Sequence, residues 1–231
     1  MRNVTWNCSR GTCARKVPLL NTLAPDIAVL QECARPEIES EQCLWFGDNL
    51  RQGITIQAAP PYGLRRLPAL EGVPKFVVPG SESGPSEFTI LAVWSKAKQP
   101  CIYIQGVVKA VQMYRDLITA SPTVLIGDLN SSVIWDAQHP RELNHSALVV
   151  LLSELGLVSA YHSFCGEAHG KETRPTCYFR WNEQQPFHID YCFIPEIWAR
   201  DMRRVEIGSY DNWKQHSDHR PLLVSLQHSE P

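Results

Sequence analysis

The stretch T-V-L-I-G-D-L-N, residues 123–130, decides the fold class of this chain. Residues 123–126 are β-branched or aliphatic, which is typical of a strand buried on both faces. Asp128 and Asn130 follow Gly127 at a spacing of two, so in an extended chain their side chains leave the same face. In α/β enzymes, polar side chains such as an acid and an amide are commonly presented to solvent at the ends of buried strands. The alternative is a turn, since glycine, aspartate and asparagine are common turn residues.

A second segment repeats this arrangement. Residues 25–32, P-D-I-A-V-L-Q-E, form an apolar run that ends in the carboxylate of Glu32. Further patterns predict strands at residues 4–7, 53–57, 75–78, 88–94, 176–180, 187–193 and 222–226, helices at 14–23, 103–120 and from Asn144 to Gly156, and a loop at 162–175. Because strands outnumber helices, we predict an α/β protein with two packed sheets.

Length and composition exclude several classes of protein. The chain has 231 residues and no linker-like segment, so we predict one domain over residues 1–231. Its apolar runs are too short for a membrane span and its start lacks a signal-peptide core, so we expect a cytoplasmic protein, with a monomer favoured. Eight irregularly spaced cysteines are expected to be reduced thiols. A net charge of −2 argues against tight non-specific DNA binding, but not against a nuclease.

Polar residues at the predicted strand ends form one candidate site. Its members are Asn7, Glu32, Asp128, Asn130, Asp190, Asp218 and His219. The sequence lacks a serine-hydrolase elbow, a P-loop and a dinucleotide-binding glycine motif. Oxygen ligands without paired thiolates or a histidine pair suit Mg²⁺, or Mn²⁺, better than Zn²⁺.

Five motifs occur in a recognisable order. They are W-N at 6–7, P-D-I-A-V-L-Q-E at 25–32, G-D-L-N at 127–130, H-I-D-Y at 188–191 and S-D-H-R-P-L at 217–222. Together they resemble the endonuclease/exonuclease/phosphatase superfamily, which includes exonuclease III, abasic-site endonucleases, pancreatic deoxyribonuclease, neutral sphingomyelinases and inositol polyphosphate 5-phosphatases. The resemblance spans almost the whole chain. It implies a four-layer α/β sandwich, in which two packed mixed β-sheets are flanked by helices, and metal-dependent hydrolysis of phosphoesters.

The resemblance also implies which residues hold the metal. Glu32 is the main ligand of Mg²⁺, and Asn7 lies beside it. Asp218 either binds a metal ion or supports His219.

The catalytic roles follow from the same resemblance. Asp128 positions or deprotonates the attacking water, and Asn130 holds a phosphate oxygen. His219 contacts the scissile phosphate. Asp190 orients His219 and raises its pKa, which keeps the imidazole cationic at neutral pH.

One position departs from the family pattern. Many members carry a histidine where the strand at 88–94 ends, and it helps at the leaving group. This chain continues with Ser95 and Lys96 instead. Either Lys96, Tyr103 or a metal-bound water takes that task, or the chemistry differs in this protein. Tyr103 also fits as an aromatic residue packed at the start of a helix.

Three further residues are candidates for substrate contact, each with an ordinary alternative. Asn144 also fits as a helix cap. Arg174 also fits as a solvated arginine in a loop. His188 lies on the same face as Asp190 if the strand is regular, where it supports the site or packs in the core.

These patterns together predict a phosphoesterase, and the preferred prediction is a nuclease that acts on DNA or RNA. A phosphatase or phosphodiesterase acting on a small metabolite or lipid head group is the alternative, because the short chain leaves little room for recognition insertions. A different class is an inactive binding module of the same fold. Clustered acids are costly unless a cation or a reaction offsets their repulsion, which favours the enzyme.

Overall fold

The computed structural model describes residues 1–98 and 101–227. Its strands are β1 (Arg2–Asn7), β2 (Ile27–Cys33), β3 (Cys43–Asn49), β4 (Gln52–Ala58), β5 (Gly63–Arg66), β6 (Val77–Ser83), β7 (Phe88–Trp94), β8 (Ala97–Lys98), β9 (Cys101–Ile102), β10 (Thr123–Asp128), β11 (Leu157–Ser159), β12 (Cys177–Tyr178), β13 (Pro186–Phe187), β14 (Asp190–Pro195), β15 (Met202–Ile207) and β16 (Leu222–Leu226). Its α-helices are α1 (Cys13–Asn21), α2 (Ile104–Met113), α3 (Arg115–Ala120), α4 (His145–Glu154), α5 (Ala160–Cys165) and α6 (Tyr210–Trp213). Short 3₁₀ turns cover Val133–Gln138, Arg141–Leu143, Phe179–Trp181 and Glu196–Asp201.

Two six-stranded mixed sheets form the centre of the fold. The first sheet has the strand order β15-β16-β1-β2-β4-β3, with β1 and β2 parallel and the other neighbours antiparallel. The second has the order β11-β14-β10-β7-β6-β5, with β7 and β10 parallel. Two ribbons, β8-β9 and β12-β13, lie outside these sheets. The predicted pair of packed sheets is confirmed.

The alternation of side chains along the strands builds the layers. Val124 and Ile126 of β10 belong to the apolar core between the sheets, whereas Leu125 packs with residues of α2, α3 and α4. On the other side, Val4 and Trp6 of β1 pack with residues of α1 and with Trp213 of α6. The result is the predicted four-layer sandwich, with helices on the outer face of each sheet.

The opposite face of β1 is polar although it is buried. Asn3, Thr5 and Asn7 alternate with the apolar residues and are at most 2% exposed. Thr5 Oγ1 accepts a hydrogen bond of 2.9 Å from Gln31 Nε2 on the parallel neighbour β2. This face is turned toward the second sheet, and it carries Asn7 to the gap between the two sheets.

Strong local patterns predicted several elements well. The strands at 88–94 and 222–226 have the predicted bounds. The predicted helix at 103–120 is interrupted at Tyr114, which separates α2 from α3. The buried stripe continues across this break, because Ile118 N still donates to Tyr114 O and both side chains are buried.

Other predicted elements are wrong in their bounds. The predicted strand at 176–180 shortens to Cys177–Tyr178, because Arg180 and Trp181 take positive φ angles of 53° and 61° and turn the chain. The predicted strand at 187–193 divides into β13 and β14, and the predicted loop at 162–175 overlaps α5, which covers residues 160–165.

Two predictions from composition concern thiols and membranes. Free thiols are found at Cys8, Cys101, Cys165, Cys177 and Cys192, as the composition predicts; the side chain of Cys13 lies outside the described residues. Within residues 1–98 and 101–227, no helix has both the length and the apolar character needed to cross a membrane.

Glu82 on β6 is expected to make the stability of the folded protein depend on pH. Its side chain is 2% exposed, and neither carboxyl oxygen has a hydrogen-bond partner among the described residues. Burial, and to a smaller extent repulsion from Glu87, raises the pKa of Glu82 to about 8 from an ordinary 4.5. Because the folded protein binds this proton more tightly than the unfolded chain, stability falls as pH rises between these two values.

We therefore expect Glu82→Gln to remove this part of the pH dependence. Glutamine resembles the protonated acid, so melting temperatures of variant and wild type should be similar near pH 5. The variant should melt at the higher temperature near pH 8.5. If the melting temperatures of the variant and the wild type changed with pH in the same way across this range, the burial of an uncompensated carboxyl group would be contradicted.

Candidate active site

Polar side chains from both sheets meet at one end of the gap between them. Asn7 ends β1, Glu32 lies near the end of β2, and Asp128 ends β10. Asp128 pairs with Asp190, the first residue of β14, across an antiparallel ladder. His219 reaches the same place from the loop before β16, and we call the whole group, with Asn130, the carboxylate cluster.

Gly127 fixes how closely β10 approaches β7. Its φ angle is 147°, and an added Cβ atom would lie 2.0 Å from the carbonyl oxygen of Val93. The glycine does not end the strand, because Asp128 still pairs with Trp94 and Asp190. The alternative of a simple turn at Asp128 is therefore wrong.

Amide groups surround Asp128, which is completely buried. Its Oδ1 accepts the backbone N–H of Asn130 at 2.8 Å, and its Oδ2 accepts Nδ2 of Asn130 at 3.1 Å and Nδ2 of Asn7 at 2.9 Å. Asn130 is held with a φ angle of 46° and also donates to Ser95 O at 3.1 Å. Burial and repulsion from Asp190 raise the pKa of Asp128 to about 7.

A local irregularity of β2 turns Glu32 toward the site. The pairing of β2 with β4 shifts between Gln31 and Cys33, and Glu32 has a φ angle of 58°. Regular alternation would place Glu32 on the helix side with Leu30. Instead its Oε1 accepts Nδ2 of Asn7 at 3.3 Å, and its half-buried side chain is open to solvent.

His219 and Asp190 form a buried ion pair. His219 Nδ1 lies 2.9 Å from Asp190 Oδ2, and neither side chain is more than 9% exposed. Burial alone would lower the pKa of His219, but the Asp190 carboxylate raises it well above the ordinary value. The imidazole is therefore cationic at neutral pH.

Several polar residues that hold this cluster were not predicted. Ser217 Oγ donates to Asn7 O at 2.7 Å and accepts the N–H of His219 at 2.9 Å. Thr176 Oγ1 accepts the N–H of Asp190 at 3.0 Å, and Gln52 Nε2 donates to Glu32 Oε2 at 3.2 Å. Of these, only Ser217 had a signal in the sequence, since it opens the S-D-H-R-P-L motif.

Other candidates lie in chain segments that adjoin the cluster. Asp218 precedes His219, is half-buried, and accepts the N–H of Tyr178 through its backbone oxygen. Lys96 follows Ser95, and its Nζ lies 3.2 Å from the ring centroid of Trp94. Tyr103 is 37% exposed at the start of α2, and its backbone N–H donates to Lys96 O.

Three substrate-contact candidates make their described hydrogen bonds elsewhere. Asn144 caps α4 through a bond of 2.8 Å from Ala147 N to Oδ1. Arg174 is exposed, and its guanidinium contacts Cys165. His188 donates from Nδ1 to Arg174 O at 2.9 Å. Their common feature is that they lie around α4 and α5 rather than in the carboxylate cluster.

The donor atoms of the cluster fit a hard divalent cation. Carboxylate oxygens of Asp128 and Asp190 lie within 4.8 Å of each other, and Oδ1 of Asp190 is buried without a hydrogen-bond partner among the described residues. Glu32 adjoins them through Asn7, whose Nδ2 lies 3.3 Å from Glu32 Oε1 and 2.9 Å from Asp128 Oδ2. A cation near these carboxylates would relieve the repulsion that raises the pKa of Asp128. Carboxylate and amide oxygens are the ligands that Mg²⁺ and Mn²⁺ prefer.

Comparison with solved structures defines the class to which this fold belongs. The chain shares its α/β sandwich with solved structures of an endonuclease domain, an AP endonuclease and a 3′ phosphatase, so the predicted fold is confirmed. No protein-family model and no curated protein matches the sequence.

Three of the solved structures that superpose on this chain illustrate the similarity. An AP endonuclease from Archaeoglobus fulgidus superposes with a TM-score of 0.73 at 15% identity, covering 99% of this chain and 100% of that one. The endonuclease domain of TRAS1, a telomere-specific non-LTR retrotransposon, gives 0.71 at 17% identity, over 98% and 97% of the two chains. The 3′ phosphatase NExo from Neisseria, bound to a product DNA hairpin, gives 0.67 at 18% identity, over 99% and 100%.

Proposed function

We propose that this protein is a metal-dependent phosphoesterase, with Mg²⁺ as its cofactor, that hydrolyses phosphoester bonds in nucleic acid. One observation carries the proposal: Asn7, Glu32, Asp128 and Asn130 form one hydrogen-bonded group, and Ser217 links it to the pair of His219 and Asp190, at the end of a fold shared with nucleases. Phosphoester hydrolysis needs an activated water and positive charge near the phosphate. This group contains a proton acceptor, a cation and oxygen ligands for a metal.

In this proposal Asp128 accepts the proton of the attacking water. A carboxylate with a pKa of about 7 is well matched to proton transfer at neutral pH. The amides of Asn7 and Asn130 hold both of its oxygens in place, which fixes its orientation. Asn130 is also the residue proposed to contact a phosphate oxygen.

His219 is the side chain proposed to supply positive charge at the phosphate, in addition to the metal ion. Asp190 fixes the ring through Nδ1, and in this proposal Nε2 donates a hydrogen bond to a phosphate oxygen. The positive charge of the imidazolium stabilises the negative charge that develops on the phosphate oxygen during the reaction.

Glu32 and Asn7, with Asp218, are the proposed ligands of Mg²⁺. When bound, the ion supplies further positive charge at the phosphate. Glu32 suits this task because it is half-buried, whereas the other two acids of the cluster, Asp128 and Asp190, are completely buried. Gln52 holds the second oxygen of Glu32, and the chain thereby orients the ligand.

A basic cleft beside Glu32 supports a nucleic-acid substrate. The open cleft measures about 470 Å³, and Arg10, Arg51 and Gln52 are among its lining residues. Gln52 also donates to Glu32, so the cleft and the proposed metal ligand share a wall. Both arginines are exposed, and arginine is suited to backbone phosphates because its donors match phosphate oxygens.

Exposed aromatic side chains in the segment that follows Tyr178 support the same substrate class. Phe179 is 47% exposed and Trp181 is 50% exposed. They follow Tyr178, whose backbone N–H donates to Asp218 O at 2.8 Å. Aromatic faces near a reacting phosphate can stack on unpaired bases. The NExo structure, which contains a product DNA hairpin, agrees with this choice.

The test is an activity panel with purified protein, with Mg²⁺ or Mn²⁺ and with a chelator as control. Substrates should include single-stranded, duplex and abasic DNA, 3′-phosphorylated DNA, RNA and small phosphomonoesters. Metal-dependent turnover of a nucleic acid supports the proposal. Turnover of small phosphoesters alone would point to the metabolite or lipid alternative, and no turnover of any substrate would point to a binding module.

Glu32→Gln is expected to weaken Mg²⁺ binding at this site and to slow turnover by about 10²-fold or more, because a charged ligand is lost. Calorimetric titration with Mg²⁺ and steady-state kinetics measure the two effects. Glu37→Gln is the matched control, since it makes the same chemical change on an exposed side chain. Unchanged Mg²⁺ affinity and unchanged turnover would remove Glu32 from the proposed site.

A further inference from the structure

Four histidines and one glutamate gather outside the carboxylate cluster. They come from the start of α4, from α5 and the loop after it, and from the chain before β14: His145, His162, His169, Glu172 and His188. We call this group the histidine cluster. It contains half of the eight histidines of the chain, and the proposed phosphoesterase chemistry uses none of its members.

Three members of the histidine cluster are close enough to share one ion. His162 Nε2 lies 3.0 Å from Glu172 Oε1, and the rings of His162 and His169 stack with centroids 3.5 Å apart. One ligand atom from each of His162, His169 and Glu172 lies within 4.8 Å of the other two. Neighbouring ligands of a tetrahedral Zn²⁺ ion lie roughly 3.3 Å apart, so small side-chain movements suffice to close the site.

Unpartnered nitrogen atoms are the second observation. His145 Nε2, His169 Nδ1 and His188 Nε2 are buried and have no hydrogen-bond partner among the described residues. His145 is completely buried and His188 is 5% exposed. A buried nitrogen without a partner is costly, because it has lost its hydration without any replacement. Three buried nitrogen atoms without hydrogen-bond partners in one cluster indicate that the cluster binds a ligand.

His188 shows which form its ring takes. Its Nδ1 faces the backbone oxygen of Arg174 at 2.9 Å, and a carbonyl oxygen only accepts hydrogen bonds. Nδ1 therefore carries the proton, and in the neutral ring Nε2 carries a lone pair. An Nδ1–H bound to a backbone carbonyl, with a free Nε2, is the usual arrangement of a histidine that binds a metal.

The surroundings of His162 and Glu172 fit the same role. His162 Nδ1 lies 2.7 Å from Ser159 Oγ, and the N–H of Gly170 donates to Glu172 Oε1 at 2.9 Å. Such outer hydrogen bonds orient metal ligands.

We propose that the histidine cluster is a second metal site, which binds Zn²⁺ through His162, His169, Glu172 and His188. Three imidazoles and one carboxylate are borderline ligands that suit Zn²⁺ rather than Mg²⁺. The ion ties α5 and the loop of residues 166–176 to the residues that lead into β14. Its role is structural: it fixes the loop that carries Thr176, whose hydroxyl holds the backbone of Asp190.

The first measurement uses wild-type protein produced without a polyhistidine tag. We expect about one Zn²⁺ per chain after gel filtration, and a higher melting temperature with Zn²⁺ than after chelation. Replacement by Co²⁺ should give the visible absorption of a four-coordinate ion without a thiolate charge-transfer band. Absence of Zn²⁺ and Co²⁺ binding by the wild-type protein would overturn the proposal without any variant.

Variants then assign the ligands. His162→Gln and His169→Gln should each weaken Zn²⁺ binding by roughly 100-fold or more, whereas Ser159→Ala should weaken it by about 10–100-fold, as is usual for an outer partner. His169 is half-buried, so its replacement keeps the test available if His162→Gln does not fold. His139→Gln, a histidine outside both clusters, is the matched control and should bind as wild type does.

Glu32→Gln separates this site from the carboxylate cluster. The Co²⁺ absorption should persist in this variant, since Glu32 is not a member of the histidine cluster. Loss of the absorption in Glu32→Gln, a thiolate band in the wild-type spectrum, or unchanged binding in both His162→Gln and His169→Gln would each overturn the assignment. These readouts do not depend on any phosphoesterase activity.

Discussion

Asp128→Asn is expected to lower the turnover number by about 10²–10⁴-fold while the protein remains folded. The proposed role of Asp128 is to accept a proton from water, and an amide cannot do so. Metal and substrate affinity should change little, because Asp128 is not among the proposed Mg²⁺ ligands. Single-turnover kinetics, together with titration of the metal, measure both quantities.

The structure also predicts what this variant does to stability. Both oxygens of Asp128 accept hydrogen bonds from amide groups of Asn7 and Asn130, so an asparagine must turn its own N–H₂ toward a donor. Losing one buried hydrogen bond costs about 1–3 kcal/mol. Relief of the repulsion with Asp190 opposes this loss. We therefore expect the melting temperature to stay within several degrees of wild type.

Asp116→Asn is the control for this experiment, because Asp116 is an exposed acid on α3. It should leave turnover unchanged. If Asp128→Asn keeps wild-type turnover, Asp128 has only a structural role at the end of β10, and the catalytic assignment of the carboxylate cluster is lost with it.

His219→Ala is expected to slow turnover by about 10²–10⁴-fold, since it removes the cation that meets the phosphate. The pH profile gives a sharper test. The carboxylate of Asp190 raises the pKa of His219, so activity should fall as the pH rises through this elevated value and the ring loses its charge. In Asp190→Asn the pKa of His219 falls, and the alkaline limb of the profile should move to lower pH.

His216→Ala is the control, since it removes a histidine of the same loop that does not pair with Asp190. Its pH profile should match that of the wild type. Identical alkaline limbs in the wild type and in Asp190→Asn would show that the pair does not set the pH dependence. Activity that rises with pH in this range would show that neutral rather than cationic His219 is the active form.

The sequence by itself determined the buried strands and the order of the motifs. Alternation and aliphatic composition predicted β7 and β10, and with them the placement of Asp128 at a strand end. The cap of α4 by Asn144 was also visible, because capping depends on residues three positions apart. These features are local, since each depends on the preferences of neighbouring residues and on which face of an element is apolar.

Only the tertiary structure decided the contacts between distant elements. The register shift between β2 and β4, together with the positive φ angle of Glu32, turned this side chain away from the face that alternation assigns to it. The pairing of His219 with Asp190 joins residues 29 positions apart. The histidine cluster draws on three separate parts of the chain and has no regular spacing that could reveal it. Such contacts depend on how the two sheets and their helices pack, and sequence periodicity carries no information about that packing.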